Sequence, residues 1–281
     1  MKKIILVVTL MSQIIICNTQ ADEFKILTPQ EQEEQWNFAA GLRANYLKLG
    51  GGFTAYDAEH DAHYKLDYNE IGMDNYASST SVAFSGEWEN WNLFFSASKG
   101  VYEGGFIAPQ DIFLKDDIIK EGEHVDGKVE MGTYSLSGTY DLSKDSTSNL
   151  ALGFGALFLD YSTDFQGETS GFGSDMLIPM PYLALSGRKD IGKYRFIGVG
   201  GAAYYDGKYD DMDYTVYFVT LDVRAGYEFY NDGNYKSTIY AGYRYLYMDS
   251  KTSQDNGNWY KETDNYSGPF INIAFKYTMF K

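Results

Sequence analysis

A single cysteine, Cys17, stands in the 281 residues, and it lies in the leader segment. The chain that follows the leader has none, which removes a disulfide framework, a zinc–cysteine site and a thiol nucleophile from consideration. A long apolar run is also missing. After Ala21 no stretch approaches the roughly 20 residues that a membrane helix needs, and the longest, Leu150 to Leu159, is interrupted by Gly153 and Gly155 and suits a strand. Barrel strands need only about 9–11 residues, half of them polar, so a mean hydropathy of -0.36 is compatible with insertion by strands. Basic residues are scarce too. Of the 23 Lys and Arg, Lys2 and Lys3 lie in the leader; the remaining 21 face 39 Asp and Glu, a net charge of -18 that argues against nucleic acid as a partner.

Residues 1–21 read as a cleaved signal peptide for the Sec pathway. Lys2 and Lys3 supply the charge, Ile4 to Ile16 the apolar core, and Thr19-Gln20-Ala21 the small-residue cleavage site before Asp22. Cys17 follows the bulky Ile16, which argues against lipidation at that cysteine. Residues 22–35 form an acidic lead-in expected on the periplasmic side. Thr28-Pro29-Gln30-Glu31 matches a helix start with a capping box, and both a short helix and a flexible segment fit it.

What the chain has in abundance is alternation. Between Phe218 and Tyr230, Val219, Leu221, Val223, Ala225, Tyr227 and Phe229 point one way, while Phe218, Thr220, Asp222, Arg224, Gly226 and Glu228 point the other. One face suits lipid and the other a polar lumen. Arg on the lipid side costs roughly 2–4 kcal/mol near the midplane, so a one-residue slip of register is opposed. The same rule recurs along residues 36–281: strands near 36–46, 80–88, 91–97, 131–142, 150–161, 178–188, 194–205, 218–230, 239–247 and 271–279. Pro179 and Pro181 blur the start of the sixth, because proline cannot donate a ladder hydrogen bond. Short polar turns alternate with long acidic segments such as Gly50 to Asn75, Tyr102 to Gly127 and Asp249 to Tyr266. The fold expected is an all-β, antiparallel, up-and-down transmembrane β-barrel of about ten strands, with short periplasmic turns and long extracellular loops. Twelve strands follow if Phe106 to Ile119 holds a hairpin, and eight if the sixth and seventh are misread.

With its signal peptide, its paired alternating segments and the aromatic last strand ending Phe275-Lys276-Tyr277-Thr278-Met279-Phe280-Lys281, the whole chain resembles the small Gram-negative outer-membrane β-barrel proteins as a class. That class commonly ends on an aromatic residue in phase with the lipid face, whereas Phe280 is penultimate and out of phase. The resemblance implies residence in the bacterial outer membrane, contact with its lipids and lipopolysaccharide, and handling by the barrel-assembly machinery. It names no extracellular partner and no cofactor.

Seven charges fall on inferred lumen faces: Arg43, Glu87, Asp222, Arg224, Glu228, Arg244 and Lys276. They form either a constriction that selects solutes or a network that pairs its charges to fill a narrow barrel. Narrow barrels are filled by side chains, which favours the second reading. Asp210, Asp211 and Asp213 offer hard oxygen ligands without a full calcium-loop pattern, and His60 and His63 stand three apart in a polar segment, so no metal site is assigned. His60 and His63 with those aspartates, or His124 with a serine, would be needed for a protease or lipid hydrolase, and neither has a motif. Gly198 to Ala203 imitates a dinucleotide fingerprint but lies inside a strand, where glycines leave room for aromatic rings. The reading that results is a non-enzymatic surface, structural or interaction barrel with a largely filled lumen. A porin-like small-solute channel is the alternative, and an outer-membrane hydrolase the second.

Overall fold

A computed structural model describes residues 35–280 apart from positions 60, 74, 109–110, 115–116, 169–170, 210–211 and 256. The expected signal peptide, the lead-in up to residue 34, His60, Asp210 and Asp211 lie outside the described residues. Among the described residues no helix is long and apolar enough to cross a membrane. Thirteen strands account for nearly all of them: β1 (Gln35–Asp57), β2 (Ala62–Asp67), β3 (Tyr76–Trp88), β4 (Trp91–Ile107), β5 (Ile112–Leu114), β6 (Asp117–Ile119), β7 (His124–Lys144), β8 (Ser148–Gln166), β9 (Gly171–Ile191), β10 (Tyr194–Tyr209), β11 (Met212–Asn231), β12 (Tyr235–Ser253) and β13 (Trp259–Phe280).

Eleven of these form one antiparallel sheet that closes on itself through β13 and β1. β2 pairs only with the far part of β1, Gly52 to Asp57, so the ten other strands close the ring at the level where β1 pairs with β3. The hairpin within Phe106 to Ile119 exists as β5 and β6, but it is a separate two-stranded sheet and adds nothing to the wall. The sixth and seventh expected strands are both present, as β9 and β10.

Tight turns join the strands at one end. Glu89 takes a left-handed φ of 51° between β3 and β4, Gly192 one of 60° between β9 and β10, and Gly233 one of 96° between β11 and β12. Asp145 accepts from the Ser148 hydroxyl and from the backbone N–H groups of Thr147 and Ser148 between β7 and β8, which together hold its carboxyl well below the usual carboxylate range. Aromatic pairs ring the outer surface at that end: Trp36 with Trp88, Trp91 with Tyr140, Tyr194 with Tyr227, and Tyr235 with Tyr277. A second ring includes Tyr46 stacked on Tyr76 and Tyr204 against Tyr217. Trp36 and Tyr46 are ten residues apart on β1; at ~3.4 Å per residue and a tilt near 40° that is about 25 Å, the height of the apolar band of a transmembrane barrel. Phe38, Leu42, Phe84, Phe95, Leu136, Phe154, Val223 and Ile271 fill the band and face outward.

Beyond the second ring the strands continue, which corrects the expectation of long loops there. Gly50 to Asn75 holds the end of β1 and all of β2, and Asp249 to Tyr266 holds the tip of the β12–β13 hairpin. The wall also changes character. The β3–β4 ladder ends at Ser79 and Gly100, and the β9–β10 ladder ends at Tyr182 and Ala203. Past these two seams, β10, β11, β12, β13, β1 and β2 form one sheet and β4, β7, β8 and β9 another. Pro179 and Pro181 sit on β9 immediately past the seam, where its edge toward β10 carries no ladder and a missing N–H is tolerated. Gly51, with φ 113°, lies where β1 turns toward β2; a Cβ there would collide with the carbonyl of Thr263.

The two sheets pack face to face through a buried core. Leu47, Leu49 and Phe53 of β1, Leu246 and Met248 of β12, and Val216 and Phe218 of β11 meet Val129 and Met131 of β7, Leu157, Leu159 and Phe165 of β8, and Ile178 and Met180 of β9. Phe53 and Phe165 touch across the gap with ring centroids 5.5 Å apart, as do Tyr102 and Tyr266 at 5.1 Å. The molecule thus has a lower storey, a barrel between the aromatic rings, and an upper storey, a two-sheet sandwich with a packed core.

Candidate functional site: the chamber and the clasp

Small residues line the inside of the lower storey. Ala39 and Gly41 of β1, Ser81, Ala83 and Ser85 of β3, Ser96 and Ser98 of β4, Thr133, Ser135 and Ser137 of β7, and Ala184 and Ser186 of β9 leave a chamber of about 380 Å³. Leu157, Phe218 and Leu246, the lowest members of the upper core, form its ceiling.

The sequence-selected charges separate into three groups. Arg43, Asp222, Arg224 and Arg244 meet in the chamber wall and are its only charged residues among the described ones. Arg43 reaches over β13 and β12, and its Nη1 lies 2.5 Å from Asp222 Oδ2 while its guanidinium sits 3.9 Å from the Phe270 ring. Arg244 Nε lies 3.6 Å from the same oxygen, an ion pair beyond hydrogen-bond reach, and the Arg224 guanidinium stands 5.2 Å from the Tyr240 ring. Glu87 and Lys276 lie nearer the tight turns. Glu87 accepts from Lys144 at 2.6 Å and Lys276 at 3.5 Å. Glu228 joins neither group, because the bulge between Glu228 and Tyr230 brings it to the turn, where it accepts from Asn231 at 2.8 Å.

Sequence reading missed two inward arginines. Arg188 stands opposite Ile197, which stands opposite Arg224, and Arg195 stands opposite Gly226; both point inward. Arg195 grips Asp190 through two hydrogen bonds of 2.7 and 2.8 Å, with Arg188 at 3.6 Å. All five arginines of the chain, Arg43, Arg188, Arg195, Arg224 and Arg244, therefore face the lower lumen. In the sixth expected strand Gly187 and the prolines hid the period-two spacing that would have revealed Arg188, and in the seventh the glycines did the same for Arg195.

A second missed feature joins the sheets of the upper storey. Glu262 and Asp264 point inward from β13 with almost no exposure. Glu262 Oε1 accepts from the Tyr68 hydroxyl and lies 2.5 Å from that of Tyr161 on β8, which also lies 2.8 Å from Asp264 Oδ2; Tyr266 donates to that second oxygen at 3.0 Å. Burial disfavours the charged forms, so Glu262 is pushed up to about 7 and Asp264 well above the ordinary carboxylate range. Tyr161 spans the sheets, making the group a polar clasp inside the apolar core. The signal lay in Tyr260, Glu262, Asp264 and Tyr266, spaced by two within a segment read as loop.

Elsewhere, Asp213 pairs with Lys208 at 3.7 Å, His124 with Asp126 at 3.3 Å, and His63 packs on Tyr56 and Trp259. Among the described residues no three His, Cys, Asp or Glu gather as a metal would require. Gly201 leaves space for Tyr182, whose hydroxyl a Cβ would strike.

A closed antiparallel sheet with a girdled apolar band and a polar lumen defines the transmembrane β-barrels of outer-membrane type. Solved structures of that class are similar to the chain at a low level. The transport unit of the Escherichia coli autotransporter AIDA-I is 7% identical with a TM-score of 0.37, covering 95% of this chain and 96% of that one. The outer membrane protein AlkL is 11% identical with a TM-score of 0.35, covering 93% and 98%, and Neisserial surface protein A is 14% identical with a TM-score of 0.31, covering 85% and 96%. Similarity at this level says nothing of role. No family model and no curated protein matches the sequence.

Proposed function

We propose that the chain is an integral protein of the bacterial outer membrane whose lumen is closed and whose role is exercised by the part that stands outside the membrane. The observation that carries this reading is the packed core of the upper storey, where Leu49, Leu159, Met248 and Tyr266 fill the path that a solute would take. In this reading the tight turns lie in the periplasm and the sandwich is extracellular, the arrangement usual for such barrels. A signal peptide cleaved after Ala21 and Sec export bring the chain to the assembly machinery, and outer-membrane lipids and lipopolysaccharide surround the girdled band. The sandwich supplies a structural or binding surface, and no catalytic step is assigned to it.

Reconstitution in planar bilayers tests the closed lumen: the expected result is no stable unitary conductance. The chamber favours a second reading, a small-solute channel, and unitary conductance that shifts on Arg224→Ala would replace the first reading with it. Recovery of the native protein in the soluble periplasmic fraction, without heat-modifiable gel migration, would overturn the membrane assignment itself.

A further inference from the structure

The chain carries a large excess of acid, yet every arginine is turned into the lower lumen. In the chamber three guanidinium groups face one carboxylate. Pairing is incomplete there. Asp222 binds Arg43, while the buried Nε of Arg224 and of Arg244 have no hydrogen-bond acceptor in the protein. A buried, unsatisfied N–H of a charged group is costly, and two such groups on neighbouring strands, with an excess of two positive charges, form a receptor for a doubly charged oxyanion. Hydroxyl donors complete the lining: Thr220 lies on β11 between Phe218 and Asp222, and Ser96 and Ser135 approach each other at 2.7 Å across the chamber wall. The volume of about 380 Å³ falls within the range of small-molecule sites, roughly 300–1,000 Å³, and exceeds what a bare phosphate fills.

We propose that the chamber is a binding site for a phosphate group, held by Arg224 and Arg244 while Arg43 remains on Asp222, and reached from the tight-turn end because the upper core closes the other. Arginine is suited to this task, since its planar fork offers two parallel donors to a tetrahedral anion. The site goes beyond the closed-barrel reading and does not require conduction.

Calorimetric titration of the refolded barrel in a zwitterionic detergent at low salt tests it, with inorganic phosphate, glucose 6-phosphate and glucose as probes. Saturable binding of a phosphate-bearing probe in the millimolar range or tighter is expected, with none for glucose. Tighter binding of glucose 6-phosphate than of phosphate identifies a phosphorylated solute; equal binding identifies free phosphate. Arg224→Gln with Arg244→Gln is expected to weaken binding roughly tenfold or more. Asp222→Asn should tighten it, an outcome that a folding defect cannot imitate. Absence of saturable binding at any concentration below about 10 mM, weaker than the millimolar scale, would overturn the proposal. So would glucose binding as well as glucose 6-phosphate, affinity unchanged in the double variant, or affinity unchanged or lowered in Asp222→Asn. Conductance in bilayers bears on the closed lumen alone and is read separately.

Discussion

Along β1, Phe38, Leu42 and Tyr46 face outward and are 44%, 55% and 53% exposed, whereas Leu47, Leu49 and Phe53 face inward and are 2%, 0% and 5% exposed. The strand keeps one register against β13 throughout. Only its surroundings change. Between the aromatic rings lipid covers the outside, so the apolar residues occupy even positions and the small and polar ones face the chamber. Past Tyr46 water covers the outside, the apolar residues move to odd positions, and the interior becomes a packed core. β12 makes the same exchange, with Ile239, Ala241 and Tyr243 outward below and Leu246 and Met248 inward above. Inversion of the apolar phase within an unbroken strand thus marks where the wall leaves the membrane.

Substitutions that ignore the boundary should be the most damaging. Leu49→Asp places an unpaired charge in the packed core and is expected to cost several kcal/mol in urea unfolding from liposomes, whereas Ser135→Asp, facing the chamber, should cost far less. Leu159→Ala should cost about 2–5 kcal/mol by leaving a cavity, and Ser135→Ala nearly nothing by the same measurement. On the outer face the order reverses with height: Leu42→Arg should cost roughly 2–4 kcal/mol, and Asn265→Arg, outward on β13 above the ring, under about 0.5 kcal/mol. Equal costs at Leu42 and Asn265 would erase the boundary placed at Tyr46.

The clasp gives the smallest effect and a sign. Glu262 is raised on folding, so its protonated form favours the folded state; that contribution is whole below its ordinary value of 4.5 and is lost as pH climbs through about 7, and the raised Asp264 acts in the same direction. Amides of β13 near Glu262 should therefore exchange faster, relative to those of the lower storey, at pH 8 than at pH 5 once intrinsic exchange rates are divided out. Glu262→Gln keeps the shape and a hydrogen-bonding oxygen without its own titration, and should shrink this difference to the part that Asp264 contributes. A pH dependence of the same size in the variant would remove the clasp from the account.

The lower storey was legible because lipid punishes error: in Phe218 to Tyr230 a single slip would put Asp222 and Arg224 into hydrocarbon, and the structure keeps the register read from sequence. Arg43, Asp222, Arg224 and Arg244 were found by that same phase. The upper storey was not legible, because its outward residues are polar, its glycines resemble a loop, and the ladder of β1 passes from β3 to β2 through Gly51. Glu262 and Asp264 looked like solvated loop charges for the same reason. Which charges meet across the lumen depends on strand order and tilt; Glu87 and Lys276, on β3 and β13 with β1 between them, share a partner set that no sequence spacing encodes.

Cysteine labelling tests the two storeys most directly, since Cys17 is the chain's only cysteine and lies in the expected leader. Ser135→Cys and Ser186→Cys face the chamber, and Leu159→Cys and Met248→Cys face the upper core. A small charged thiosulfonate added to the folded barrel is predicted to modify the first pair and to leave the second unmodified until the protein is unfolded. Comparable labelling of all four in the folded state would mean that water crosses the upper storey, and the closed barrel would be wrong.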